Sequence, residues 1–308
     1  MPGKKVRILD FDGSVTRQKR LLSKYGPEII SLKKIAPRVR FWSGKRDLAV
    51  VNSMIQPSEG SITFLGSGDF HHISCLLMSH YQKPISIINF DLHSDWDILS
   101  PFLSCGSWVK EALEKANVKK AVLAGVSSDD ISSFWLETGD IGSLKGDRVE
   151  IYPYSHKPSY LFLRNIPDNI SIKKERGLLA QKVYWNELCG RDLFEFFFHI
   201  IKRIPTEDVY VSIDKDCLKK ESAVTNWEEG RLALDELLIM LKLIKDNRNI
   251  IGADITGDYS DVEVKGILKR MISRIDHPGK FAGEELAEDA RTRINEDTNL
   301  KILELLSS

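Results

Sequence analysis

Ile85-Ser86-Ile87-Ile88-Asn89-Phe90-Asp91-Leu92-His93-Ser94-Asp95-Trp96-Asp97 is a largely apolar run that passes without a linker into Asp-x-His-x-Asp. A continuous apolar run of this length suits a strand buried on both faces, as in parallel sheets covered by helices on either side. Residues two apart at an extended strand end project to one side, so Asp91, His93 and Asp95 can converge. Carboxylates combined with imidazole suit Mn, Fe or Zn better than Ca, which prefers all-oxygen cages. Alone, the motif fits a metal site and a solvated acidic turn equally well.

The same strand character recurs at Val6–Leu9, Ile62–Leu65, Ala121–Ala124, Val149–Tyr152, Val209–Ile213 and Ile250–Ala253. Helical periods lie between several of them, at Phe70–Tyr81, Trp108–Ala116, Arg191–Lys202 and Leu232–Asn247, with a charged terminal helix over Glu284–Leu306. Strand alternating with helix predicts a three-layer α/β/α fold around a mostly parallel, doubly wound sheet, with residues 1–308 as a single domain. Ligands of such sheets bind at the carboxyl ends of strands. Ile131–Asp147 and Lys157–Arg176 read as long loops, or as a small inserted subdomain.

Composition narrows the function classes. Lys plus Arg and Asp plus Glu number 44 each, so net charge makes no case for nucleic acid or an anionic membrane as partner. Leu193–Ile201, the longest greasy stretch, is too short to span a bilayer and contains Glu195 and His199. Asp10 interrupts the N-terminal apolar run where a secretory signal would continue. Cys75, Cys105, Cys189 and Cys217 are scattered without CxxC spacing, which fits a reducing cytoplasm better than a disulfide framework or a thiolate zinc site.

Three further strand ends carry polar residues. Val209-Tyr210-Val211-Ser212-Ile213-Asp214-Lys215-Asp216 ends in Asp-x-Asp. Ile62-Thr63-Phe64-Leu65-Gly66-Ser67-Gly68-Asp69-Phe70-His71-His72 turns through glycines into an acid and two histidines. Ile250-Ile251-Gly252-Ala253-Asp254 ends in an acid. Placing several such carboxylates side by side is costly without cations between them.

In order and spacing these segments resemble the ureohydrolase superfamily, the arginase and agmatinase group, over roughly residues 60–260. The resemblance implies a hydrolase of non-peptide C–N bonds with a small-molecule substrate, two divalent metal ions, usually manganese, and a homo-oligomeric assembly. It implies that Asp91 and Asp214 bridge the two ions, that Asp95 and a histidine of the Gly68–His72 segment complete one, and that His93 and Asp216 complete the other. His71 is the first choice of that histidine and His72 the second, because Phe70 adds one residue to the motif. Asp95, with a spare oxygen, would orient the attacking water and carry its proton to the leaving amine.

The sequence also departs from the family. The late-strand glutamate that grips guanidinium in arginases falls at Gly257, with Asp258 beside it as a substitute for binding and catalysis. Ser104-Cys105-Gly106 stands where a His-Gly pair is common. Asp97 and Asp130 fall at positions that contact the substrate in the family. Asp97, Asp130 and Asp258 together would favour a cationic, agmatine-like or acyl-polyamine substrate over an amino acid.

Two other readings compete. Asp10-Phe11-Asp12-Gly13-Ser14-Val15-Thr16 looks like the nucleophile motif of haloacid-dehalogenase-type phosphatases, with Asp10 as nucleophile and Asp12 as acid/base. It leaves Asp91–Asp97 and Asp214–Asp216 unexplained. A diverged, non-catalytic metal-binding protein of the arginase fold is the other.

Overall fold

Strand residues alternate between two apolar layers. On one side of the sheet pack Leu9, Leu65, Ile85, Ile87, Ala121, Leu123 and Tyr210. On the other pack Ile8, Phe64, Ile88, Phe90, Val122, Ala124, Val209, Val211 and Ile213. This two-residue period is the pleat of a strand with both faces buried. The computed structural model describes residues 4–56, 58–266, 269, 271 and 286–308. Its central sheet has eight strands: β1 (Val6–Asp10), β2 (Glu28–Ser31), β3 (Ile62–Gly66), β4 (Ile85–Phe90), β5 (Val118–Ala124), β6 (Val149–Tyr152), β7 (Asp208–Asp214) and β8 (Asn249–Thr256). Every pairing is parallel, in the order β2-β1-β3-β8-β7-β4-β5-β6. The chain thus skips from β3 to β4, and β7 and β8 later fill the gap. Such a reversal leaves a crevice outside the carboxyl ends of the strands.

All seven expected strands are present. The additional strand, β2, is an edge strand whose Glu28-Ile29-Ile30-Ser31 is mostly exposed, too polar and short to stand out by pattern. Helices α1 (Lys19–Tyr25) and α2 (Lys45–Met54) were not anticipated; each buries a single residue, Leu21 and Val51, so neither shows a strong apolar face. The helix read at Phe70–Tyr81 is shorter: a 3-10 turn over Gly68–Ile73 precedes α3 (Ser74–Met78). Of the other expected helices, α4 spans Trp108–Leu113, α5 Leu193–Lys202, α6 Leu234–Asn247 and α7 Glu288–Ser307. Glu284 and Glu285 lie outside the described residues. The Asp192 side chain accepts from the Glu195 amide, a cap of about 1 kcal/mol that starts α5 two residues later than read. Lys157–Arg176 is not all loop. Ser159–Leu161 and Ile172–Arg176 flank Gln181–Trp185 in a small antiparallel sheet. No helix among the described residues is long and apolar enough to cross a membrane.

Candidate metal centre

Asn89 and Asp91 follow Ile85 and Ile87 at the same two-residue period, and Ser212 and Asp214 follow Tyr210. All project to one face, where the 3-10 turn after β3 brings His71. Its Nδ1 lies 3.1 Å from Asp91 Oδ2, 3.2 Å from Asp95 Oδ2 and 3.6 Å from Asp214 Oδ2. Beside it, His93 Nδ1 is 3.0 Å from Asp216 Oδ2 and 3.8 Å from Asp91 Oδ1. Two overlapping groups could each hold an ion: His71, Asp91 and Asp214, and Asp91, His93 and Asp216. Asp91 belongs to both.

The hydrogen bonds behind these side chains orient them for a cation. Ser212 donates to Asp254 Oδ1 at 2.7 Å, and Tyr210 donates to Asp254 Oδ2 at 2.8 Å. With its proton on Asp254, Ser212 Oγ accepts from His71 Nε2 at 2.8 Å. That leaves Nδ1 with a lone pair aimed at three carboxylates, an arrangement that calls for a cation among them. Without one, a second proton on the ring is favoured: burial opposes it, but Asp91 and Asp95 outweigh burial and raise the His71 pKa well above its usual value. Burial, then repulsion from neighbouring acids, likewise pushes Asp91 and Asp214 upward. The donor set therefore fits divalent ions, which replace protons the cluster would otherwise take up.

Backbone positions make the cluster possible. Asp95 has φ +50°, in the left-handed region, and its Oδ2 accepts from Trp108 Nε1 at 2.6 Å. The Asp214 carboxylate nests between two glycines. A Cβ on Gly68 would approach Oδ2 to 2.6 Å, and one on Gly257, which has φ +87°, would approach Oδ1 to 2.4 Å.

Above the cluster opens a cleft of about 560 Å³. Its walls include Asp97 and Asp130 together with Phe41, Trp42, Phe102, Trp135 and Trp227. Asp97 accepts the Leu99 amide at 2.9 Å, and Asp130 the Ser94 amide at 3.2 Å.

No family model matches the chain. Solved structures share the architecture over its length. Proclavaminate amidino hydrolase from Streptomyces clavuligerus aligns with all of this chain and 93% of its own, at 13% identity and TM-score 0.57. A hypothetical agmatinase from Burkholderia thailandensis aligns with 98% of this chain and 86% of its own, at 15% identity and TM-score 0.55. Entamoeba histolytica arginase aligns with 100% of this chain and 99% of its own, at 12% identity and TM-score 0.55. The fold is that of the ureohydrolases. By sequence, an uncharacterized protein of Thermotoga maritima is 26% identical over 258 residues, 84% of this chain and 81% of the relative.

On this ureohydrolase fold several expected roles change. His72 faces Ser43 rather than the acids. Its Nε2 meets Ser43 Oγ at 2.7 Å, and burial, reinforced by Lys269 and His71, lowers its pKa to about 3. Adjacent residues in a tight turn diverge, so only one histidine can face the acids. Asp258 does not reach the cleft. It is buried against Lys215 Nζ at 3.0 Å and accepts from Gln18 Nε2 at 2.7 Å, so its carboxylate is engaged away from the cleft. Gly257 has no room for a glutamate while Asp214 holds its place. Asp10 and Asp12 lie outside the cleft as well. Asp10 accepts the Gly13 amide at 2.9 Å and pairs with Lys33 at 3.1 Å; Asp12 holds the Ser67 amide at 3.0 Å. The phosphatase-like motif is a support for the turn before His71. Cys105 lines the cleft, half-buried.

Sequence reading missed Trp227 and the Tyr210–Asp254–Ser212 chain. Trp227 stands edge-on to His93, 5.3 Å between ring centres, and donates to Asp69 at 2.9 Å. Nothing local marks Trp227. Tyr210, Ser212 and Asp214, however, share one strand face by their two-residue spacing, a signal legible in advance.

Proposed function

We propose that this chain is a divergent ureohydrolase, binding two divalent ions, manganese by preference, and cleaving a C–N bond of a small cationic guanidino, amidino or amide substrate. The observation that carries the reading is the convergence of His71, Asp91, Asp95, His93, Asp214 and Asp216 on one cleft floor. Asp91 and Asp214 would bridge the ions, with His71 and Asp95 on one side and His93 and Asp216 on the other. When bound, such a pair lowers the pKa of a water and stabilises the anion formed by attack on a trigonal carbon. Asp95, which accepts from Trp108 Nε1, would orient that water and pass its proton to the leaving amine.

Charge selects the substrate class. Asp91, Asp95, Asp214 and Asp216 balance the four positive charges of two divalent ions, which leaves Asp97 and Asp130 as net negative charge in the cleft. No lysine or arginine lines it among the described residues. An amino-acid carboxylate would be repelled, and an agmatine-like or acyl-polyamine cation attracted.

Metal analysis of protein loaded with Mn, followed by a screen of agmatine, other guanidino and formimino compounds, acylated amines and arginine, tests both halves. Two ions per chain and turnover of an amine are expected. Failure to bind Mn, Fe, Co or Zn ends the hydrolase reading. Turnover of arginine but of no amine refutes the charge argument.

A further inference from the structure

A second cavity, of about 260 Å³, lies on the same face of the sheet but at the amino ends of the strands. Arg7 on β1, Thr63 on β3 and Tyr210 on β7 form its floor, and His80 and Tyr81 beyond α3 form a wall. The Arg7 side chain is 2% exposed, and no hydrogen bond engages its Nε or second terminal nitrogen. Its nearest acid, Glu28, is 3.5 Å from Nε, largely solvated, and shared with Lys5 at 2.9 Å. His80 Nε2 is also buried without a hydrogen-bond partner among the described residues. A buried guanidinium with only one distant, shared carboxylate is under-supplied with acceptors, which is costly, so such a group is retained where something supplies them.

The remaining polar lining fits an acceptor-rich guest. Thr63 and Ser58 add hydroxyls. Ser61, Tyr81 and Tyr210 already donate to Ser58 O, Ile251 O and Asp254. Glu59, exposed at the rim, is the one acid in the lining among the described residues. Gly252 permits the tyrosines to close the top, since a Cβ there would come within 2.4 Å of Tyr81 Oη and 3.0 Å of the Tyr210 ring.

We propose that this cavity binds a small oxyanion, a phosphate or carboxylate group, in the fork of Arg7, and that its occupancy is transmitted to the metal centre. The transmitting chain is continuous: Tyr210, which lines the cavity, donates to Asp254, which holds Ser212, which accepts from His71 Nε2. The anion site stands without any metal; only the transmission rests on the hydrolase reading. Because coupling between two ligands is reciprocal, an anion that shifts metal affinity is itself bound with affinity shifted by the same factor.

Calorimetric titration of the 308-residue chain with inorganic phosphate, sulfate and acetate tests the site. Saturable binding of one anion per chain is expected, and the ranking of the three probes separates phosphate from carboxylate recognition. Arg7→Met should weaken it by about tenfold to a hundredfold, as for loss of charge-assisted hydrogen bonds. Binding at the metal centre would ignore that change, so anion binding insensitive to Arg7→Met overturns the assignment, as does absence of saturable binding. Should Arg7→Met fail to fold, Thr63→Val serves, with a severalfold loss expected and an unchanged affinity counting against the site. Transmission is read from Mn affinity with and without sulfate. A shift that disappears in Tyr210→Phe supports it; no shift in a protein that binds both ligands refutes it. A protein that binds anion but no metal sinks the hydrolase reading and leaves the anion site standing.

Discussion

The loops after β1 and β4 begin almost alike. Ile8-Leu9-Asp10-Phe11-Asp12 and Asn89-Phe90-Asp91-Leu92-His93 each leave a buried strand with an acid and place a second polar group two residues on. Their fates differ. Around Asp10 and Asp12 the neighbours are donors: the Gly13, Ser14 and Ser67 amides, the Ser14 hydroxyl and Lys33. Around Asp91 the neighbours include more acceptors, Asp95, Asp214 and Asp216, and two histidines. A carboxylate surrounded by donors is a structural brace, and one surrounded by carboxylates is half of a cation site. The difference lies in sheet order. β4 is hydrogen-bonded to β7, which ends in Asp214, whereas β1 lies between β2 and β3, and β3 runs into glycines.

The sharpest way to break this comparison is to neutralise one acid from each loop. Asp91→Asn or Asp214→Asn should lower metal affinity by more than about a hundredfold and remove both ions, beyond the effect of losing a supporting partner. Asp216→Asn should lose mainly one. Asp10→Asn should leave metal content unchanged by elemental analysis. Equal metal loss from Asp10→Asn and Asp91→Asn would erase the distinction.

Ser212→Ala probes the orientation of His71. It leaves Nε2–H without its acceptor and should weaken metal binding by about ten- to a hundredfold. An unchanged Mn isotherm would mean the ring is held by packing alone.

Chelation should lower the melting temperature at neutral pH, and the deficit should shrink on acidification. The sign follows from raised carboxyl pKa values: Asp91 and Asp214 bind protons more tightly in the folded, cation-free state, so stability is regained as pH falls through their folded pKa values. A deficit that grows toward acid pH would contradict that assignment.

In the bracing loop, Asp12→Ala should cost about 1–3 kcal/mol in denaturant unfolding, through the amides left unsatisfied. Metal stoichiometry should be kept. The smallest effect is expected at the rim. Asp97→Asn should raise KM for a cationic substrate by roughly severalfold, near 1 kcal/mol, with kcat and metal content little changed. A fall in kcat at constant KM would place Asp97 in the chemistry instead.

Much of this protein was legible before folding. Strand positions follow from the apolar period, which is local, and the acids and histidines at strand ends are visible as unusual residues in those runs. Asp91, His93, Asp95, Asp214 and Asp216 could all be named because each sits within a few residues of a strand end. The sequence ranked His71 over His72 only by motif spacing, because their directions depend on a 3-10 turn fixed by Ser67 and by Asp12 in the loop after β1. Nor could it show that Asp258 turns toward Lys215, Gln18 and Asn299. The Tyr210–Asp254–Ser212–His71 chain needs β7 beside β8, 42 residues apart at Ser212 and Asp254. Periodicity records which face a residue takes. Which faces meet is set by pairing between distant strands, and only the folded sheet decides that.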